Sequence, residues 1–147
     1  MYSESFLKTC YKKLDNGLHK FDLDLGIVSH IENEIYHLVA VRDSSDTFKV
    51  GENFSIGDTY CREVWNKGTS VSIPMENDAH KIQDHPLYPN LPLQAYISAP
   101  ILYDSKIWGT INFSSLKSKP AFSHDDVQYT ERLAADIAAA LFENNLI

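Results

Sequence analysis

Ala95-Tyr96-Ile97-Ser98-Ala99-Pro100-Ile101-Leu102-Tyr103, the polar break Asp104-Ser105-Lys106, and the return Ile107-Trp108-Gly109-Thr110-Ile111-Asn112-Phe113-Ser114-Ser115 decide the architecture. Both limbs are rich in β-branched and aromatic residues, and the short break between them suits a turn, so the stretch reads as a hairpin whose first strand opens near Gln94. A strand's period of two places Tyr96 and Ser98 on one face with Trp108, Thr110, Asn112 and Ser114. Ala95, Ile97 and Ala99 share the other face with Ile107, Gly109, Ile111 and Phe113. One face is thus apolar and needs cover. The opposite face carries a row of neutral hydrogen-bonding groups, costly to bury unless paired, so a ligand or ordered water is expected wherever that face is covered.

Working upstream, Leu25–Ile31 and Ile35–Val41 are again apolar and β-branched around Glu32-Asn33-Glu34, which gives a second hairpin. A Ser- and Asp-rich loop, Asp43 to Thr47, follows. Asp58 or Thr59 is expected to cap a short helix through Cys61 and Trp65, and Gly68 to end it in a left-handed conformation. Val71-Ser72-Ile73 is a short strand stopped by Pro74. Met75 to Pro92 has no clean period and reads as a long loop with at most a helical turn near Ala79–Gln83; loops of that length in compact domains are usually functional or disordered. At the two ends of the chain the period changes to that of a helix. Phe6, Leu7, Cys10, Tyr11, Leu14 and Leu18 form an apolar stripe between Ser3 and Lys20. Val127, Leu133, Ala134, Ile137, Ala138, Leu141 and Phe142 form another behind Ser123, which is placed to cap it, with Asp125 and Asp126 at the positive end of the helix dipole.

Sequential hairpins with a helix at each end imply an α+β fold: an antiparallel sheet of five or six strands, terminal helices on one face and a loop-covered pocket on the other. The 147 residues, 44% of them hydrophobic, suit one domain: an N-terminal helix over 1–20, sheet and pocket loops over 21–122, and a C-terminal helix over 123–147. Thirteen basic against 20 acidic residues give a net charge of −7, which repels phosphate backbones and anionic membranes, and no local basic patch reverses it. Neither nucleic acid nor a membrane is expected as a partner. No apolar run approaches the ~20 residues of a membrane span, and the polar N-terminus lacks a secretory pattern, so the expected location is the cytoplasm. The two cysteines, Cys10 and Cys61, are read as free thiols.

Five stretches, Leu23-Asp24-Leu25-Gly26-Ile27-Val28-Ser29, Gly57-Asp58-Thr59-Tyr60-Cys61, Asp84-His85-Pro86-Leu87-Tyr88, Ala95-Tyr96-Ile97-Ser98-Ala99-Pro100 and Gly109-Thr110-Ile111-Asn112-Phe113-Ser114-Ser115, occur in this order. On these the chain, from about Phe21 to Phe142, resembles the GAF domain family. It implies a sensory module of bacterial signal transduction, of the kind found in histidine kinases and diguanylate cyclases, with a small-ligand pocket. It further implies terminal helices that pair two copies and lead to an output domain. Fold alone does not choose the ligand. Candidate ligand-binding residues are Cys61, Trp65, His85, Tyr96, Ser98, Thr110, Asn112 and Ser114, with no cofactor identified. Trp65, Phe54, Tyr60, Tyr88 and Tyr96 supply aromatic walls or simply close the core.

Other chemistries fit the residues less well. Cys61, near a helix start, resembles one cysteine of the free methionine-R-sulfoxide reductases, but His80–Leu93 holds no cysteine where that family carries its catalytic thiol. Asn112 and Ser114 also stand where those enzymes use carboxylates. Arg62 follows Cys61, where phytochrome-like domains commonly place a histidine after the bilin-bearing cysteine. Asp78, His80, Asp84 and His85 do not have a familiar zinc spacing. A non-catalytic binding domain is therefore the expected class, with a ligand-free dimerisation module as its alternative. The last helix runs toward Ile147 without a stop signal, as expected of a domain cut from a longer signalling chain.

Overall fold

The computed structural model describes residues 2–74, 87, 89 and 91–143. Helix α1 spans Glu4–Phe21, and its start is fixed by Ser3, whose side chain accepts a hydrogen bond from the Phe6 N–H at 3.1 Å. Its apolar stripe buries Phe6, Cys10, Leu14 and Gly17. Strands β1 (Leu25–Glu32) and β2 (Ile35–Asp43) pair as a hairpin. Then come β3 (Asn53–Ser55), a tight turn of 3-10 helix over Ile56–Asp58, α2 (Arg62–Lys67), β4 (Val71–Ile73), β5 (Ala95–Tyr103), β6 (Lys106–Ser115) and α3 (His124–Glu143).

The strands form a six-stranded sheet in the order β3-β2-β1-β6-β5-β4, with antiparallel pairing throughout. The long hairpins occupy the centre and three-residue strands close both edges, which limits the backbone left open to other chains. Asn33 and Glu34 turn the first hairpin and Asp104 and Ser105 the second, each pair at positive φ, the geometry that matches strand twist in two-residue loops.

Alternation along the strands separates two cores. Val28, Val39, Ala40, Ala95, Ile97, Ala99, Ile111 and Phe113 pack beneath α1 and α3. Ile27, Ile31, Tyr36, Leu38 and Tyr96 face the other way and meet Ile56, Tyr60, Cys61, Ile73 and Leu93. The fold is the expected α+β arrangement of an antiparallel sheet with terminal helices on one face.

Four local expectations are corrected. No strand was expected between the Asp43–Thr47 loop and Asp58, yet the edge strand β3 lies there; it pairs Phe54 with Tyr36 and Ser55 with Ile35. Trp108 does not share a face with Thr110, Asn112 and Ser114. The register steps from Ile101 opposite Gly109 to Leu102 opposite Ile107, so Trp108 is the extra residue of a β-bulge. The bulge turns its indole into the helix-side core, edge-on to Phe6 at 6.0 Å, and sends Ile107 to the opposite side. Helix α2 starts later than Asp58 or Thr59: Cys61 stands at its N-cap without a side-chain cap bond, while the Thr59 hydroxyl donates to the Ile56 carbonyl at 2.9 Å. Gly68 ends it as expected, at φ 72°. Finally, Phe142 is 69% exposed, and Thr130 and Ala140 are buried on α3 instead.

Candidate functional site

On the face away from α1 and α3, the sheet and the segments over it form a partly open cavity of about 340 Å³, within the range of small-molecule sites. Its walls are apolar: Leu25, Ile27, Leu38, Phe48 and Phe54 from the β1–β3 side, and Leu87, Leu91 and Leu93 from the chain that returns before β5. Tyr60 ties the two banks together, its hydroxyl donating to the Leu91 carbonyl at 2.6 Å. Strand periodicity brings Tyr36 of β2, Tyr96 of β5, and Asn112 and Ser114 of β6 to the same floor, with Cys61 beside them.

Cys61 is the hub of that floor and is only 2% exposed. Its Sγ lies 2.8 Å from Tyr96 Oη and 3.3 Å from Thr110 Oγ1, and it accepts from Asn112 Nδ2 at 3.3 Å. Asn112 Nδ2 also donates to Tyr36 Oη at 2.8 Å. Ser29 and Thr110 pair through their hydroxyls at 2.8 Å, and the Ser29 oxygen accepts from the Thr110 backbone N–H at 3.2 Å. Burial, reinforced by the adjacent Cys61 sulfur, pushes the phenols of Tyr36 and Tyr96 well above their ordinary range. Both therefore stay protonated at neutral pH and the floor carries no charge from them. Asp58, the carboxylate among the described lining residues, is exposed.

Of the residues expected from sequence, Cys61, Tyr96, Asn112 and Ser114 line the cavity. Ser98 and Thr110 are fully buried within reach of Cys61, at 3.9 Å and 3.3 Å, and do not line it. Trp65 packs against the same core but opens on a separate surface depression with Glu34, Gly57 and Arg62. His85, Tyr88 and the Asp78, His80 and Asp84 group lie outside the described residues. Tyr36 is the floor residue that sequence reasoning missed. Continuing the alternation from Ile35 would have found it, since Tyr36 and Leu38 share a face.

The two thiols sit on opposite sides of the sheet, Cys10 in the helix-side core and Cys61 at the cavity, so they form no redox pair. Among the described residues no group of three or more histidine, cysteine or acidic side chains is placed to hold a metal. No described helix is long and apolar enough to cross a membrane.

A family model for the GAF domain matches residues 11–141. The chain belongs to the GAF domain family. No curated relative matches it. Solved structures of the same fold include the chromophore-binding domain of an unusual bacteriophytochrome from R. palustris, at 16% identity and TM-score 0.75, covering 98% of this chain and 58% of that one. The chain thus spans little more than half of that domain. The blue-light-absorbing form of the PixJ GAF domain from Thermosynechococcus elongatus matches at 13% identity and TM-score 0.72, over 99% of this GAF domain and 92% of that chain. A type II free methionine-R-sulfoxide reductase from Thermoplasma acidophilum matches at 20% identity and TM-score 0.67, over 95% and 94%. At these identities the likeness is one of fold, and a chromophore-binding domain and a reductase both share it.

Proposed function

We propose that this GAF domain is a non-catalytic sensory module that binds a small molecule between its sheet and the segments over it. In this reading, occupancy passes through α1 and α3 to a second copy and to an output domain of a bacterial signalling protein, such as a histidine kinase or a diguanylate cyclase. The observation that carries the reading is the largely apolar cavity with a polar floor on the sheet face opposite the terminal helices.

Strand β6 supports the coupling, because it presents Asn112 and Ser114 to the cavity and Ile111 and Phe113 to the helices. A ligand changes the output by its difference in affinity between two helix arrangements. The buried position of Cys61 and its separation from Cys10 support a binding role over thiol catalysis.

Native mass spectrometry and an ultraviolet-visible spectrum of freshly purified protein test the reading. A retained small-molecule mass or visible absorbance is expected. A clean protein mass, together with no thermal stabilisation across a metabolite panel, would favour a dimerisation module instead. Turnover of free methionine sulfoxide with a thiol reductant, abolished by Cys61→Ser, would replace the sensory reading with an enzymatic one.

A further inference from the structure

The polar floor is unevenly satisfied. Ser29 and Thr110 pair with each other, and Cys61 is surrounded by donors and acceptors. Asn112 saturates one end of its amide on Tyr36 and Cys61, yet its Oδ1 has no hydrogen-bond partner among the described residues. The Ser114 hydroxyl likewise has none among them. Both side chains line the cavity, and the residues are 3% and 2% exposed. Buried polar groups in native proteins almost always have a partner, so each unsatisfied one needs an explanation. Two residues apart on β6, they share a face and offer an acceptor beside a group that both donates and accepts.

Charge narrows the chemistry. No lysine, arginine or histidine lines the cavity among the described residues, and Asp58 is exposed. Tyr36 and Tyr96 are hydroxyls at neutral pH. An ionic head seated on Asn112 and Ser114 would lose its water without a counter-charge beside it among the described residues, whereas a neutral hydrogen-bonding head would satisfy the two open groups. The remaining walls, Leu25, Ile27, Leu38, Phe48, Phe54 and Leu91, call for an apolar body.

On the sensory reading of the cavity, we infer that its ligand is an uncharged molecule with an apolar, ring-sized body and one amide- or hydroxyl-type head, seated on Asn112 and Ser114. Carboxylates, phosphates and ammonium compounds of the same size are discriminated against.

A test uses three probes on one skeleton, indole-3-acetamide, indole-3-acetate and tryptamine, and a second such set on a phenyl skeleton. Binding to the full chain at pH 7 is followed by backbone amide shifts along β6, with titration giving Kd. The amides are expected to bind at least tenfold more tightly than either ion and to shift the amide signals of Asn112 and Ser114. Ser114→Ala, a mild change, should weaken the amides about threefold to tenfold, the value of one hydrogen bond, without altering the shift pattern elsewhere. Asn112→Asp should move the preference toward tryptamine; Ser114→Ala keeps the proposal falsifiable where that variant does not fold. An ion that binds as tightly as its amide, or amide affinity unmoved by Ser114→Ala, would overturn the inference while leaving the cavity reading intact. No cavity shifts with any of the probes would overturn the cavity reading and this inference together.

Discussion

Gly109 shows how narrowly single positions set this sheet. A Cβ built on Gly109 falls 1.8 Å from the Ser29 carbonyl oxygen, a backbone atom that no rotamer change can move aside. Gly109→Ala is therefore expected to cost about 3 kcal/mol, the upper end of overpacking penalties, read as a lowered urea midpoint. Burial pushes the Cys10 thiol up to about 12, above its unfolded value. A group raised in this way adds stability that is complete below the unfolded pKa, and it is lost as pH rises from about 9 to about 12. Denaturation against pH should show this alkaline loss, and Cys10→Ala should remove the part that begins near pH 9, leaving the part that the raised phenols of Tyr2, Tyr36 and Tyr96 contribute from about pH 10 upward. At this scale the candidate site was half legible in the sequence. Tyr96, Asn112 and Ser114 followed from strand period. That Ser98 and Thr110 would be spent on Cys61 and Ser29 depends on neighbours from other strands, which no local pattern records.

Elements were legible wherever a periodic run met a stop signal. Both hairpins, α1, α3 and the Gly68 stop of α2 combine strong patterning with cap or turn residues that act locally. For α3 the signal is complete. The Ser123 hydroxyl accepts from the Asp126 N–H at 3.2 Å, and the Asp126 carboxylate accepts in turn from the Ser123 N–H at 2.9 Å, a reciprocal capping box. Ser123→Ala should remove about 1 kcal/mol of stability, and amide exchange should rise in the first turn of α3 before it rises elsewhere. The misread elements are those fixed by tertiary partners. Strand β3 is three residues long and is held by pairing to β2. The bulge at Trp108 is set by the step in register against β5 and by the space beside Phe6, so simple alternation put its side chain on the wrong face. Such a bulge leaves no mark in composition.

Across the whole molecule, the sheet separates two environments that share its strands. Lys13 of α1 meets Asp136 of α3 at 3.0 Å, and Phe21 meets Tyr129 at 5.8 Å, so the two helices run in opposite directions over one face. Gly17 lets α1 settle on the sheet: a Cβ there would lie 2.1 Å from the Phe113 ring. Phe113 is the β6 neighbour of both Asn112 and Ser114 and packs tightly against Gly17, which on the proposed sensory role is the route by which a displacement of β6 at the cavity would reach α1. The proposed sensory role adds pairing of two copies through these helices, and Phe142, 69% exposed near the end of α3, is the apolar side chain that such pairing would cover. Sedimentation velocity at micromolar concentration should then show a dimer, and Phe142→Asp should shift it toward monomer. Because Phe142 makes so little contact within its own chain, that substitution should leave the urea midpoint of the monomer within about 0.5 kcal/mol of the parent. A strictly monomeric parent protein would remove helix pairing from the proposed signalling route. It would leave the cavity and its ligand to act through contacts within the chain alone.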